Sequence, residues 1–234
     1  MTLSAPRGRT VAVVGGDTAA GVELAAGLED LGTSVAPLGV SCLDSRDEFG
    51  GALEAVVRRR GPLDGVVLAS VGDDPAMRAA VADLDADGWR ARVELPLHRT
   101  LVCFQGVFDS LRRDGGTLVL LVPTLSLVGA AGFGPWAAVT EGQRALAKAA
   151  ARAWGRRAVT VNCVAVPAAL LAPILAMGED DDTQPDRPGQ PAPALAPPDL
   201  RGDVSPVVQT LLSSAWRSVT GATVGVDGGV WMTP

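Results

Sequence analysis

The chain's potential chemistry rests on few groups. His98 is the only histidine, Lys148 the only lysine, and there is no tyrosine. Three cysteines, Cys42, Cys103 and Cys163, are widely spaced in apolar segments, which fits reduced core thiols better than a disulfide framework or a metal site. A lone His98 on a helix reads as structural before it reads as a general base. The acid run Asp180 to Asp182 lies among prolines and reads as a solvated loop. The clearest binding signal is the glycine turn Gly15, Gly16 and Gly21 after an apolar strand. A turn of this kind lets a pyrophosphate approach backbone N–H groups at a helix N-terminus.

The positioning elements are those of one α/β domain. With 234 residues and 47% hydrophobic content, the chain is long enough for a single well-buried core. Residues 1–9 read as a flexible tail and 10–234 as the domain. Strand patterns at Thr10 to Val14, Ser34 to Leu38, Leu63 to Ser70, Thr117 to Val122 and Ala158 to Ala165 alternate with helical ones. This predicts a doubly wound parallel sheet, Rossmann-like, of about seven strands with helices on both faces. The long helix from about Gly88 to Arg113 holds Pro96, so a kink or late start is expected there. Residues 167–206 read as a loop or lid, acidic and proline-rich over 178–200. A net charge of -6 without a basic stripe argues against nucleic acid. No apolar run is long enough to span a bilayer, and a cytoplasmic setting is expected.

Strand, glycine-rich loop, alanine-rich helix and strand over Gly116 to Pro167, with Val161-Asn162 and the closing Thr220-Gly221, Val226-Asp227-Gly228-Gly229, resemble the short-chain dehydrogenase/reductase family, in its 3-oxoacyl-ACP-reductase-like form. The resemblance spans roughly Thr10 to Met232. It implies NAD(P), a catalytic Ser ending one strand, and Tyr-x-x-x-Lys opening the next helix. It also implies an Asn that supports a proton relay, and oligomers built through that helix and the final strand.

The four catalytic positions here hold Glu94 (Asn), Pro123 (Ser), Trp136 (Tyr) and Thr140 (Lys). A phenol, with a pKa near 10 when free, needs the cation on its own helix face to work near neutrality. Indole N–H does not titrate usefully, Thr140 is uncharged, and Pro123 has neither hydroxyl nor N–H. Thr124 and Ser126 lie near Pro123. Lys148 lies about 12 Å beyond Thr140 at about 1.5 Å per residue, too far to replace its cation. At the cofactor end, Gly15, Gly16, Gly21 and Asp44 match the family. Ala19 replaces the middle glycine of the turn, and Leu38-Gly39 stand where a ribose-binding acid or a phosphate-binding arginine is usual.

The expectation is therefore weak NAD(P) binding or none, and a catalytically degenerate subunit or ligand-binding homologue. It would pair with itself or an active paralogue through the Trp136 to Trp154 helix and the C-terminal strand. The alternative is an NAD(P)-dependent reductase of a ketone or 3-oxoacyl thioester with displaced catalytic groups. Trp136 is expected either to project into the nicotinamide space or to pack sideways into the core.

Overall fold

Short runs of valine, leucine and alanine form the strands of a parallel sheet. The computed structural model describes residues 8–69, 79–172 and 193–232. Within them lie β1 (Thr10–Val14), β2 (Ser34–Leu38), β3 (Gly65–Leu68), β4 (Gly116–Pro123), β5 (Val159–Val166) and β6 (Thr223–Gly225). Their order is β2-β1-β3-β4-β5-β6, and every pairing is parallel. The helices are α1 (Ala19–Asp30), α2 (Arg46–Arg60), α3 (Ala86–Trp89), α4 (Leu95–Leu111), α5 (Leu125–Val128), α6 (Gly134–Trp154), α7 (Ala168–Leu171) and α8 (Ser205–Leu211).

A strand's side chains alternate between faces, so a central strand must be apolar on both. β4 does this: Val119 and Leu121 join the apolar cluster under α1 and α8, while Leu118, Leu120 and Val122 join the one under α2, α4 and α6. Packing on both faces fixes the strands in a doubly wound, Rossmann-like sheet.

Six strands are present among the described residues, not the expected seven, and the chain length explains why. Only Gly39 to Ser45 separates β2 from α2, and a 3-10 turn, Val40–Leu43, fills most of it. A further parallel strand needs a crossover of a dozen residues or more. β2 is therefore the sheet edge. Ser34 donates to Arg9 and the Leu38 carbonyl accepts from Gly15, which leaves Val35 and Pro37 facing the open side. Proline there removes one exposed donor and blunts the edge against strand addition.

The expected interruption near Pro96 takes a different form. Helix runs without a break from Ala86 to Leu111, but Arg90–Glu94 is π-helical. The wide turn immediately precedes the proline, which has no N–H to give to the turn before it. Arg58, Arg59 and Arg60 close α2, where cations suit the negative end of the helix dipole. The expected tail lies mostly outside the described residues, as do Ser70 and most of the acidic, proline-rich stretch 178–200. Residues 193–199 carry no regular element.

Candidate active site

The carboxyl ends of β1 to β5 gather the residues singled out in the sequence. At the cofactor end, Gly15 has φ +90° and turns the chain from β1 into α1. A Cβ on Gly21 would overlap the Gly15 carbonyl, so this approach requires glycine. Thr18 caps α1: its hydroxyl accepts from Gly21 N–H at 3.0 Å and donates to the Gly15 carbonyl at 2.7 Å.

The turn is folded down onto β2. Gly15 and Gly16 N–H both donate to the Leu38 carbonyl at 2.9 Å. The Asp17 carboxylate accepts from Val40 N–H at 3.0 Å. Asp44 is paired with Arg99 of α4 at 2.6 Å. Burial, with the carboxylates of Asp17 and Asp44 adding to it, pushes the Cys42 thiol up to about 11. Ala19, at the start of α1, is exposed.

On the catalytic side, Pro123 ends β4 in register with Val166, and Thr124 N–H donates to the Val166 carbonyl at 2.8 Å. The Ser126 hydroxyl donates to the Pro123 carbonyl at 3.2 Å. The first turn of α6 carries Trp136, of which 1% is exposed. The rest of α6 packs Ala147, Ala150 and Ala151 against the α2–α4 face. Trp136 and Val139 instead join the opposite cluster with Leu125, Val166 and Leu171. Leu125 and Val166 of that cluster lie at the carboxyl ends of β4 and β5, the end of an α/β sheet where ligands usually bind.

Thr140 and Gln143 continue the same helix face, with relative exposures of 0% and 2%. Thr124 Oγ1, Trp136 Nε1, Thr140 Oγ1 and Gln143 Oε1 are buried with no hydrogen-bond partner among the described residues. Gln143 Nε2 donates to the Thr100 hydroxyl at 3.0 Å, which donates to the Pro96 carbonyl at 2.9 Å. This chain ties α6 to α4 without a titrating group. Gln143 was not singled out in the sequence, although its place three residues after Thr140 marks it as sharing that face.

Glu94, His98, Lys148 and Glu141 lie outside this interior. All four are exposed, and Glu141 pairs with Arg144 at 2.8 Å. Glu94 ends the π-helical turn and lines a cavity of about 520 Å³ between that turn and the start of α6. Pro135 and Ala138 line the cavity too, but neither Trp136 nor Thr140 does.

The closing segment is held by its own motif. Asn162 donates to the Val219 carbonyl at 2.9 Å and accepts from Ala222 N–H at 3.1 Å. Buried Asp227 accepts from Gly229 N–H and Trp231 N–H at 2.9 and 3.1 Å. Among the described residues, Cys103 and Cys163 are buried and unpaired, no His, Cys, Asp or Glu cluster is placed to hold a metal, and no helix is long and apolar enough to cross a membrane.

The chain is similar to known proteins. A family profile described as enoyl-(acyl carrier protein) reductase matches residues 3–231. Cis-4-hydroxycyclohexanecarboxylate dehydrogenase of Sinomonas cyclohexanicum is 30% identical over 224 residues, covering 94% of this chain and 87% of the relative. The short-chain dehydrogenase/reductase ABA4 of Pyricularia oryzae is 28% identical over 188 residues, covering 80% of this chain and 69% of the relative. Among solved structures, a short-chain dehydrogenase/reductase of the glucose/ribitol dehydrogenase kind from Brucella melitensis superposes with a TM-score of 0.77 at 19% identity, over 96% of this chain and 97% of that one. With a profile match over nearly its whole length, and the turn, α6 and closing motif in their expected places, the chain belongs to the short-chain dehydrogenase/reductase family.

Proposed function

We propose that this chain is a non-catalytic member of its family, a subunit that keeps the fold and its assembly surfaces while its own crevice is closed. The observation that carries this reading is Trp136. At the tyrosine position stands an indole that is 1% exposed and packed among Leu125, Val166 and Leu171. It can donate a hydrogen bond but cannot exchange a proton near neutrality. Thr140 supplies no cation and Pro123 no hydroxyl beside it.

The cofactor end supports the same reading. A dinucleotide needs free backbone N–H groups at the glycine turn and room at the end of β2. Here Leu38 holds both glycine N–H groups and Asp17 holds Val40. The residues present do not fit NAD(P) in this arrangement, so weak binding or none is proposed.

The proposed partner is a second copy or an active paralogue, engaged through α6 and β6. α6 presents Ala145, Lys148 and Ala149 outward, and β6 is a partly exposed edge. Three unpaired thiols suit a reducing setting such as the cytoplasm. The test is hydride transfer by the isolated chain with NADH and NADPH across ketones and 3-oxoacyl thioesters, alongside isolation of its complexes from the native host. Turnover by the isolated chain overturns the proposal.

A second reading, an NAD(P)-dependent reductase with displaced groups, draws on relatives that are named dehydrogenases and on the buried, unpartnered Thr124 hydroxyl beside Pro123. Under it, changing Glu94 or Thr124 abolishes turnover.

A further inference from the structure

The cavity beside α6 lies apart from the closed crevice. Its roof is the segment before α3, pinned by a hydrogen bond from Ala79 N–H to the Gly132 carbonyl at 2.8 Å. Gly134 keeps that roof close, since a Cβ there would stand 2.6 Å from the Val81 side chain. Pro135 and Ala138 form the floor, and Leu84, Trp89 and Glu94 stand in the walls. At about 520 Å³ the space falls within the range of small-molecule sites.

The charges in its walls do not balance. Arg90 is engaged by Asp87 at 2.9 Å, and Asp85 accepts from Gly88 N–H at 2.7 Å as the cap of α3. Glu94 has neither an ion pair nor a hydrogen bond among the described residues. Glu94 thus faces a mostly apolar space without a paired counter-charge, while the other charged groups in its lining, Asp85 and Arg90, are already engaged. Trp89, 44% exposed, adds an aromatic face to the same wall. A cation over such a face is attracted by the ring quadrupole. An anion would meet the carboxylates of Asp85 and Glu94, and a neutral apolar molecule would leave Glu94 uncompensated.

We propose that this cavity binds a small apolar cation, a lipophilic amine or quaternary ammonium compound, with its charge on Glu94 and Trp89 and its apolar body against Leu84, Pro135 and Ala138. Of the four catalytic positions only Glu94 lines this cavity, and the site stands whether or not the chain transfers hydride.

The test is calorimetric titration of the full chain with 3-phenylpropylamine, its N-trimethylated form, 3-phenylpropanol and 3-phenylpropionate. Both cations should bind about tenfold tighter than the alcohol, with the carboxylate weakest. Glu94→Gln, at an exposed position, should remove the preference for cations while leaving the alcohol's affinity unchanged. Ala138→Trp should fill the space and weaken all four probes. Equal affinity for amine and alcohol, a cation preference that survives Glu94→Gln, or no binding of any probe up to about 10 mM overturns the proposal. Because Glu94→Gln touches no packed side chain, it decides the matter even if Ala138→Trp fails to fold.

Discussion

Replacing Trp136 separates a packed plug from a loosely held surface ring. Its indole is 1% exposed and its Nε1 has no acceptor among the described residues. Removing the whole side chain as Trp136→Ala should cost about 3–5 kcal/mol, the usual range for a buried large aromatic. For a chain of this size, that lowers Tm by about 6–20 °C. Trp136→Phe should behave differently. It forfeits about 50 Å² of apolar contact, or about 1.3 kcal/mol at about 25 cal/mol per Å². It also deletes a buried donor whose lack of a partner costs about 1–3 kcal/mol. The phenylalanine variant should therefore lie between slightly less stable than wild type and about 1.7 kcal/mol more stable. Urea unfolding at fixed pH, followed by circular dichroism, gives both midpoints, and unchanged m-values would show that the denatured state is not responsible. A cost for Trp136→Ala under about 1 kcal/mol would refute the packed plug. A phenylalanine variant as unstable as the alanine one would show that the indole N–H has a partner, and the unpaired-donor argument would fall.

Thr18→Ala removes the cap of α1 and should cost about 1 kcal/mol, a Tm drop of about 2–4 °C by calorimetry. Gly21→Ala drives a Cβ into the Gly15 carbonyl and should cost more than about 3 kcal/mol, read as loss of folded protein on size exclusion. Asp227→Ala strands the N–H groups of Gly229 and Trp231 and should cost about 1–3 kcal/mol in urea unfolding. NAD(H) and NADP(H) at millimolar concentration should leave Tm unmoved, whereas a ligand at about 100 times its Kd would add about 2.7 kcal/mol. With its thiol pushed up to about 11 by burial and the carboxylates of Asp17 and Asp44, Cys42 is about one part in a thousand thiolate at pH 8. Its alkylation rate should rise about tenfold per pH unit up to that value, and a fast rate at pH 8 would show the thiol to be freely solvated.

The sheet was legible because its strands carry apolar runs that only a doubly covered sheet can bury, and because glycine turns and caps punctuate them. The strand count was less legible. A resemblance suggests the family's usual number, whereas the seven residues from Gly39 to Ser45 set what the chain can hold. The substitutions at Pro123, Trp136 and Thr140 could be read residue by residue. The direction of the indole could not, since a helix's first turn can pack toward either neighbouring layer and only the tertiary contacts decide. Nor does any local pattern show that Gly15, Gly16 and Asp17 engage the end of β2, because those partners lie more than twenty residues away along the chain.

In the proposed reading, the loss of tyrosine, serine and lysine positions is one physical change. Once an indole fills the crevice, position 140 has no exposure left. A lysine there would be an ammonium taken out of water with no carboxylate to meet it, since the neighbouring Glu141 faces outward and is paired with Arg144. An unpaired buried charge of that kind costs several kcal/mol. Threonine removes the charge and leaves only an unpaired hydroxyl, at about 1–3 kcal/mol. It follows that Thr140→Lys alone should destabilise the chain severely, whereas the same lysine beside Trp136→Tyr should be tolerated better than the two separate costs suggest. A double-mutant cycle in urea measures this coupling directly. Strict additivity would mean that position 140 does not sense what fills the crevice, and the losses would then have to be explained one residue at a time.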